Sequence, residues 1–209
     1  MRVGIIGSGM IGGSLAALFA ERGHEVLLAN SRGPQSLTET ARQLGMTVTP
    51  ATIVDTARGS DVVFVAIPFG RYKELPVDAF AGRIVVDTTN YYPQRDGAVP
   101  ELDSGDVTSS ELLARHLGDA QVVKAFNTLY FEQLRTAGRP DAPPSQRLAI
   151  PLAGDNARAK ALVTNLIENI GFAAVDAGNL AAGRHQQPGQ PVYNMPVGPA
   201  EATKLLEQR

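Results

Sequence analysis

The feature that most limits how this chain can fold lies at its start. An apolar run, Val3-Gly4-Ile5-Ile6, breaks into Gly7-Ser8-Gly9-Met10-Ile11-Gly12 and then into a helical pattern with Leu15, Leu18 and Phe19 on one face. A G-x-G-x-x-G carries little information alone, but between a strand and a helix its spacing has a physical reading. The first glycine permits the tight turn, the second lets a pyrophosphate approach the backbone, and the third lets helix and strand pack closely. The phosphates then face a helix N-terminus, whose N–H groups and dipole favour an anion. The residues that would hold them are Gly7, Ser8, Gly9, Met10, Ile11 and Gly12.

The rest of the chain repeats the theme. Unalternated apolar runs at 25–29, 61–67, 83–87 and 121–126, with a shorter one at 46–49, are interleaved with helical patterns at 36–44, 52–57 and 109–117. Strands without polar alternation, each followed by a helix, belong to a parallel sheet covered on both faces. Past residue 135 a Pro-rich loop at 138–145 leads to a strand at 147–153, a helix at 156–170 and a strand at 172–176. An irregular tail at 183–199 and a last helix near 200–207 complete the chain. The expected fold is α/β: a doubly wound parallel sheet of Rossmann type over residues 1–135, with a small C-terminal α/β cap at 136–209, continuous with it.

Composition removes other classes. With no cysteine, thiolate metal sites, disulfides and cysteine nucleophiles are excluded. A net charge of -2 without a basic block argues against a nucleic-acid partner. No apolar run reaches the roughly 18 residues of a membrane span, and scattered Asp and His show no metal-ligand spacing. Met1-Arg2 runs straight into the first strand, leaving no room for an apolar leader, so the expected compartment is the cytoplasm.

The end of the second strand selects the nucleotide. NAD sites place Asp or Glu there, about 20 residues beyond the glycines, against the ribose hydroxyls. This chain has Asn30-Ser31-Arg32. A hydroxyl and a guanidinium can bind a 2′-phosphate that a carboxylate would repel, which points to NADP(H). Gly33-Pro34-Gln35-Ser36 adds no second cation.

Ligands in such sheets sit beyond the carboxyl ends of the strands. Ala66-Ile67-Pro68, Thr88-Thr89-Asn90 and Ala125-Phe126-Asn127 should therefore face the nicotinamide. Asn127 can hydrogen-bond a carboxamide or ring carbonyl, Phe126 can wall a planar ring, and Gly9, Ala66 and Ala125 leave room for a second ring. On structural grounds alone, Phe126 would be core, Asn127 a helix N-cap and Lys124 a solvated charge. His24, His116 and His185 offer no acid–base pair. Reduction of a keto acid wants a positioned proton donor, whereas hydride transfer between stacked rings needs mainly proximity, about 3–3.5 Å between reacting atoms.

The glycine fingerprint, Asn30-Ser31-Arg32, the AIP at 66–68, VVKAFNT at 122–128, PLAGDN at 151–156 and GFAAVDAG at 171–178 together resemble the coenzyme F420-dependent NADP oxidoreductases. KAFNT and the VDAG strand also resemble the oxidoreductase domain of STEAP metalloreductases. The resemblance implies NADP(H) held by Ser8 to Ile11, with Ser31 and Arg32 at the 2′-phosphate. It also implies a deazaflavin (F420) or flavin (FMN or FAD) stacked near Ile67, Pro68 and Asn127, and a homodimer. No catalytic side chain is assigned. A different class of reading is an NADP(H)-binding sensor without turnover. GIIGSGMIGGSLA at 4–16 also looks like the opening of prephenate dehydrogenases, pyrroline-5-carboxylate reductases and β-hydroxyacid dehydrogenases, whose sites need an all-helical C-terminal domain.

Overall fold

The computed structural model describes residues 1–208. Eight strands form one sheet, ordered β3-β2-β1-β4-β5-β6-β7-β8. The elements run β1 (Arg2–Ile6), α1 (Met10–Glu21), β2 (Glu25–Ala29), α2 (Thr38–Leu44), β3 (Val48–Pro50), α3 (Ile53–Gly59), β4 (Val62–Val65) and β5 (Ile84–Asp87). Then come α4 (Pro93–Asp96), α5 (Pro100–Asp103), α6 (Ser109–Leu117), β6 (Gln121–Ala125), α7 (Phe131–Thr136), β7 (Ala149–Gly154), α8 (Ala157–Asn169), β8 (Ala173–Asp176) and α9 (Pro199–Glu207). Short 3-10 turns at Phe69–Glu74 and Leu180–Gln186 matter below.

Alternation along each strand divides the core between two faces. Val62 and Phe64 join Leu15 and Phe19 of α1 and Val163 and Ile167 of α8 on one side. Val63 and Val65 join Ala57 of α3 and Leu112, Leu113 and Leu117 of α6 on the other. This is the doubly wound α/β architecture, and it leaves the C-terminal strand ends free to form a crevice.

Two departures from expectation are informative. The sheet is parallel at every pairing but one, since β7 runs antiparallel to β6. β7 and β8 thus extend the same sheet that β1–β6 build, with α9 covering them through Ala202 against Ala149 and Val175. The sixth strand also ends one residue early, at Ala125, because Phe126 adopts φ 65°. That left-handed geometry is unusual for a bulky residue and turns the chain out of the ladder just where Asn127 follows. No described helix is long and apolar enough to cross a membrane.

Candidate functional site

At the β1–α1 turn each glycine has a distinct reason. Gly7 has φ 115°, and a Cβ there would lie 2.1 Å from the Ala66 carbonyl oxygen. A Cβ on Gly12 would stand 1.8 Å from the Gly7 carbonyl oxygen, so helix and strand could not meet. A Cβ on Gly9 would meet nothing within 4 Å; it would project into the crevice, the place a pyrophosphate needs. The helix start supports this. α1 has Gly9 at its N-cap and no side-chain cap. Its first-turn N–H groups are therefore left to an external acceptor.

Two cavities open along the strand ends and share Gly9, Ala66, Ile67 and Pro68. The nucleotide-side cavity, about 620 Å³, takes Gly7, Ser8, Asn30, Ser31 and Arg32 into its lining. Asn30 braces that loop, accepting from the Arg32 N–H at 2.9 Å and donating to Ser36 Oγ at 3.0 Å. Arg71, from the 3-10 turn after β4, joins the same lining and donates to Ser31 Oγ at 3.3 Å. It is the second cation that the sequence near Arg32 lacks; 40 residues separate it from Ser31, so no local pattern could reveal it. Glu74, also in the lining, pairs with Arg71 at 2.6 Å.

The second cavity, about 490 Å³, takes in Met10, Ile11, Asn90, Phe126 and Asn127 together with Tyr92, Arg95, Tyr130 and Tyr193. Asn127 is 4% exposed; its Nδ2 donates to Asn90 Oδ1 at 3.0 Å and to the Gln186 carbonyl at 2.6 Å. Asn90 returns a bond from Nδ2 to the Asn127 carbonyl at 3.0 Å. The buried Asn127 Oδ1 has no partner, nor has the Thr89 hydroxyl that lines the same cavity. An orphaned buried amide oxygen costs free energy until a donor reaches it. A carboxamide N–H2 is a donor of that kind.

Several expectations need correction. Ala125 lies outside both cavity linings, fully buried in the core; Gly12 also lies outside them and serves the helix–strand approach expected of the third glycine. Asn127 is no helix N-cap, because the next helix starts at Phe131 behind Tyr130. Phe126 is both core and cavity lining at 1% exposure. Lys124 is not a solvated charge but wholly buried, donating to Asp87 Oδ2 and to the Thr89 carbonyl. His116 is held at the Leu75 carbonyl and His24 at Asn169, away from the crevice. Tyr92 and Tyr193 escaped sequence reasoning altogether, since a phenol carries no signal until a partner faces it. Burial and the hydrogen bond with Tyr92 raise the Tyr193 hydroxyl well above an ordinary phenol.

Among known proteins, residues 2–91 match the family model described as NADP oxidoreductase, coenzyme F420-dependent. The chain is 29% identical over 188 residues to Metalloreductase STEAP3 of Rattus norvegicus, a stretch covering 88% of this chain and 35% of the relative. It therefore spans about a third of that protein. A hypothetical protein from Sinorhizobium meliloti superposes with a TM-score of 0.81 at 32% identity, covering 95% of both chains. A candidate F420-dependent NADP-reductase from Arthrobacter sp. FB24 does so with a TM-score of 0.73 at 25% identity, over 88% of this chain and 87% of that one. The glycine turn, the Ser31–Arg32 loop and the AIP edge all lie inside the segment that matches the model of the coenzyme F420-dependent NADP oxidoreductases.

Proposed function

We propose that this protein passes a hydride between NADP(H) and a conjugated ring acceptor of deazaflavin (F420) or flavin (FMN or FAD) type. The carrying observation is the pair of cavities joined at Gly9, Ala66, Ile67 and Pro68. One presents hydroxyl and guanidinium groups where a 2′-phosphate would lie. The other is faced by planar and phenolic side chains and holds the orphaned Asn127 Oδ1.

In this reading the pyrophosphate meets the α1 N-terminus over Gly9, Ser31 and Arg32 with Arg71 hold the 2′-phosphate, and Asn127 Oδ1 accepts from the carboxamide. The Asn90–Asn127 bonds fix that amide, so the nicotinamide is oriented by a preformed site, as a transfer governed by alignment requires. Bound NADPH supplies the hydride; the chain supplies orientation and water exclusion. STEAP3 is a metalloreductase and the Arthrobacter protein a candidate F420-dependent NADP-reductase, which supports electron transfer out of NADPH here.

The test is anaerobic mixing of the protein with NADPH and, separately, oxidised F420, FMN and FAD, following loss of each acceptor's visible absorption. Bleaching by NADPH and far less by NADH is expected. NADPH binding without bleaching of any of the three would replace this reading with a nucleotide-binding sensor.

A further inference from the structure

Tyr92 and Tyr193 are 101 residues apart in sequence, yet their hydroxyls are hydrogen-bonded to each other in the lining of the second cavity. Each is held from behind. The Tyr92 N–H donates to Asp96 Oδ2 at 2.9 Å, and the Arg95 guanidinium lies 4.9 Å from the centre of the Tyr92 ring. On the other side, Asn194, in the left-handed region at φ 57°, donates its N–H to the Thr128 carbonyl at 2.8 Å. Val192 is 1% exposed in the patch under α9. The pair is thus anchored to the loop after β5 and to the loop after β6, the two loops that also carry Asn90 and Asn127.

A hydrogen bond between two hydroxyls uses one hydrogen and leaves the other O–H free to donate. The groups facing the pair suit a donor. Burial and the partner phenol raise the Tyr193 hydroxyl and so work against loss of its proton; the group that offsets this is a guanidinium. Arg95 places a cation beside a phenolate formed when the proton leaves, and its own charge is shared with the nearly buried Asp96 at 2.8 Å. No histidine or carboxylic acid lines this cavity among the described residues.

We propose that the Tyr92–Tyr193 pair is the proton donor of the site: its free hydroxyl hydrogen-bonds a ring nitrogen of the acceptor and protonates it as hydride arrives. This rests on the reading given under Proposed function. The balance is NADPH + oxidised acceptor + H+ giving NADP+ + reduced acceptor. The pair delivers that H+, an O–H bond breaking as an N–H bond forms, and a solvent proton restores it. Nicotinamide and acceptor exchange two electrons, and the tyrosines change only their protonation.

Tyr92→Phe and Tyr193→Phe keep ring and packing and remove one hydroxyl each. NADPH binding, followed by its fluorescence, reports that each variant is folded. Oxidised acceptor, titrated by its visible spectrum, should bind each variant about fivefold more weakly, the size of one lost hydrogen bond. Single-turnover bleaching should slow about a hundredfold, and small buffer acids should restore part of the rate in proportion to their concentration. A purely structural defect would show no such rescue. If wild type turns over and both variants stay within about twofold in rate and affinity, this inference falls while the proposed function stands. If wild type bleaches none of the three acceptors, both fall.

Discussion

Lys124 Nζ lies 3.2 Å from Asp87 Oδ2, and neither side chain has any exposure. The carboxylate is fully engaged, since Ser110 Oγ also donates to Oδ2 at 2.7 Å and the Thr89 N–H donates to Oδ1 at 2.9 Å. Lys124 in turn ties the Thr89 carbonyl, so the pair links β5, β6 and α6 directly behind the Thr88–Asn90 edge of the site. Lys124→Met removes the cation and leaves a buried carboxylate without a counter-charge, which costs about 3–5 kcal/mol. Adding Asp87→Asn should recover part of that loss. Chemical denaturation of the single and double variants checks it; a loss below about 1 kcal/mol would mean the charges are solvated.

Gly9 and Gly12 separate binding from folding. Gly12→Ala drives a methyl into the Gly7 carbonyl, and should cost about 3 kcal/mol, the upper part of the overpacking range. Gly9→Ala meets no protein atom and has φ −76°, so its stability should stay within about 0.5 kcal/mol of wild type. Its NADPH affinity should nevertheless fall about tenfold or more, because the methyl occupies the pyrophosphate position. Thermal unfolding and NADPH titration of both variants decide the matter, and equal stabilities would contradict the helix–strand contact.

Arg32→Ala and Arg71→Ala should each weaken NADPH far more than NADH, each removing a charge-assisted contact to the 2′-phosphate. Glu74 sharpens the test. Its carboxylate occupies Arg71 at 2.6 Å, so Glu74→Gln should release that guanidinium and tighten NADPH a few-fold, with little change for NADH. Titrations with both nucleotides measure this; a parallel response of NADH and NADPH would remove Arg71 from the phosphate site.

Asp96 supplies a pH signature. Burial alone would raise its carboxyl, but Arg95 and the N–H groups of Tyr92 and Gly70 more than offset this and hold it below the ordinary aspartate value. A group depressed on folding stabilises fully above its unfolded pKa, and that stability is lost as pH falls through the folded pKa. Wild type should therefore exceed Asp96→Asn in stability by a constant margin at neutral pH. The margin should shrink only in acid, below the usual aspartate range. Unfolding midpoints across pH test the sign, and a margin that grows on acidification would refute it.

The strand–glycine–helix opening, the alternation of strands and helices, and the Asn30-Ser31-Arg32 loop could all be read from short windows of sequence. Their causes are local: glycine φ angles, apolar periodicity and the charge at one strand end act within a few residues of one another. Asn90, Ile67 and Asn127 could be placed because strand ends in such a sheet converge on one edge. The rest required the folded chain. The antiparallel β7, the burial of Lys124 on Asp87, the reach of Arg71 to Ser31 and the meeting of Tyr92 with Tyr193 join residues 27 to 101 positions apart. No local propensity encodes such pairs. They exist because the order of eight strands brings distant loops to one crevice, where a lysine that reads as solvent-facing finds a buried carboxylate and two ordinary tyrosines become neighbours.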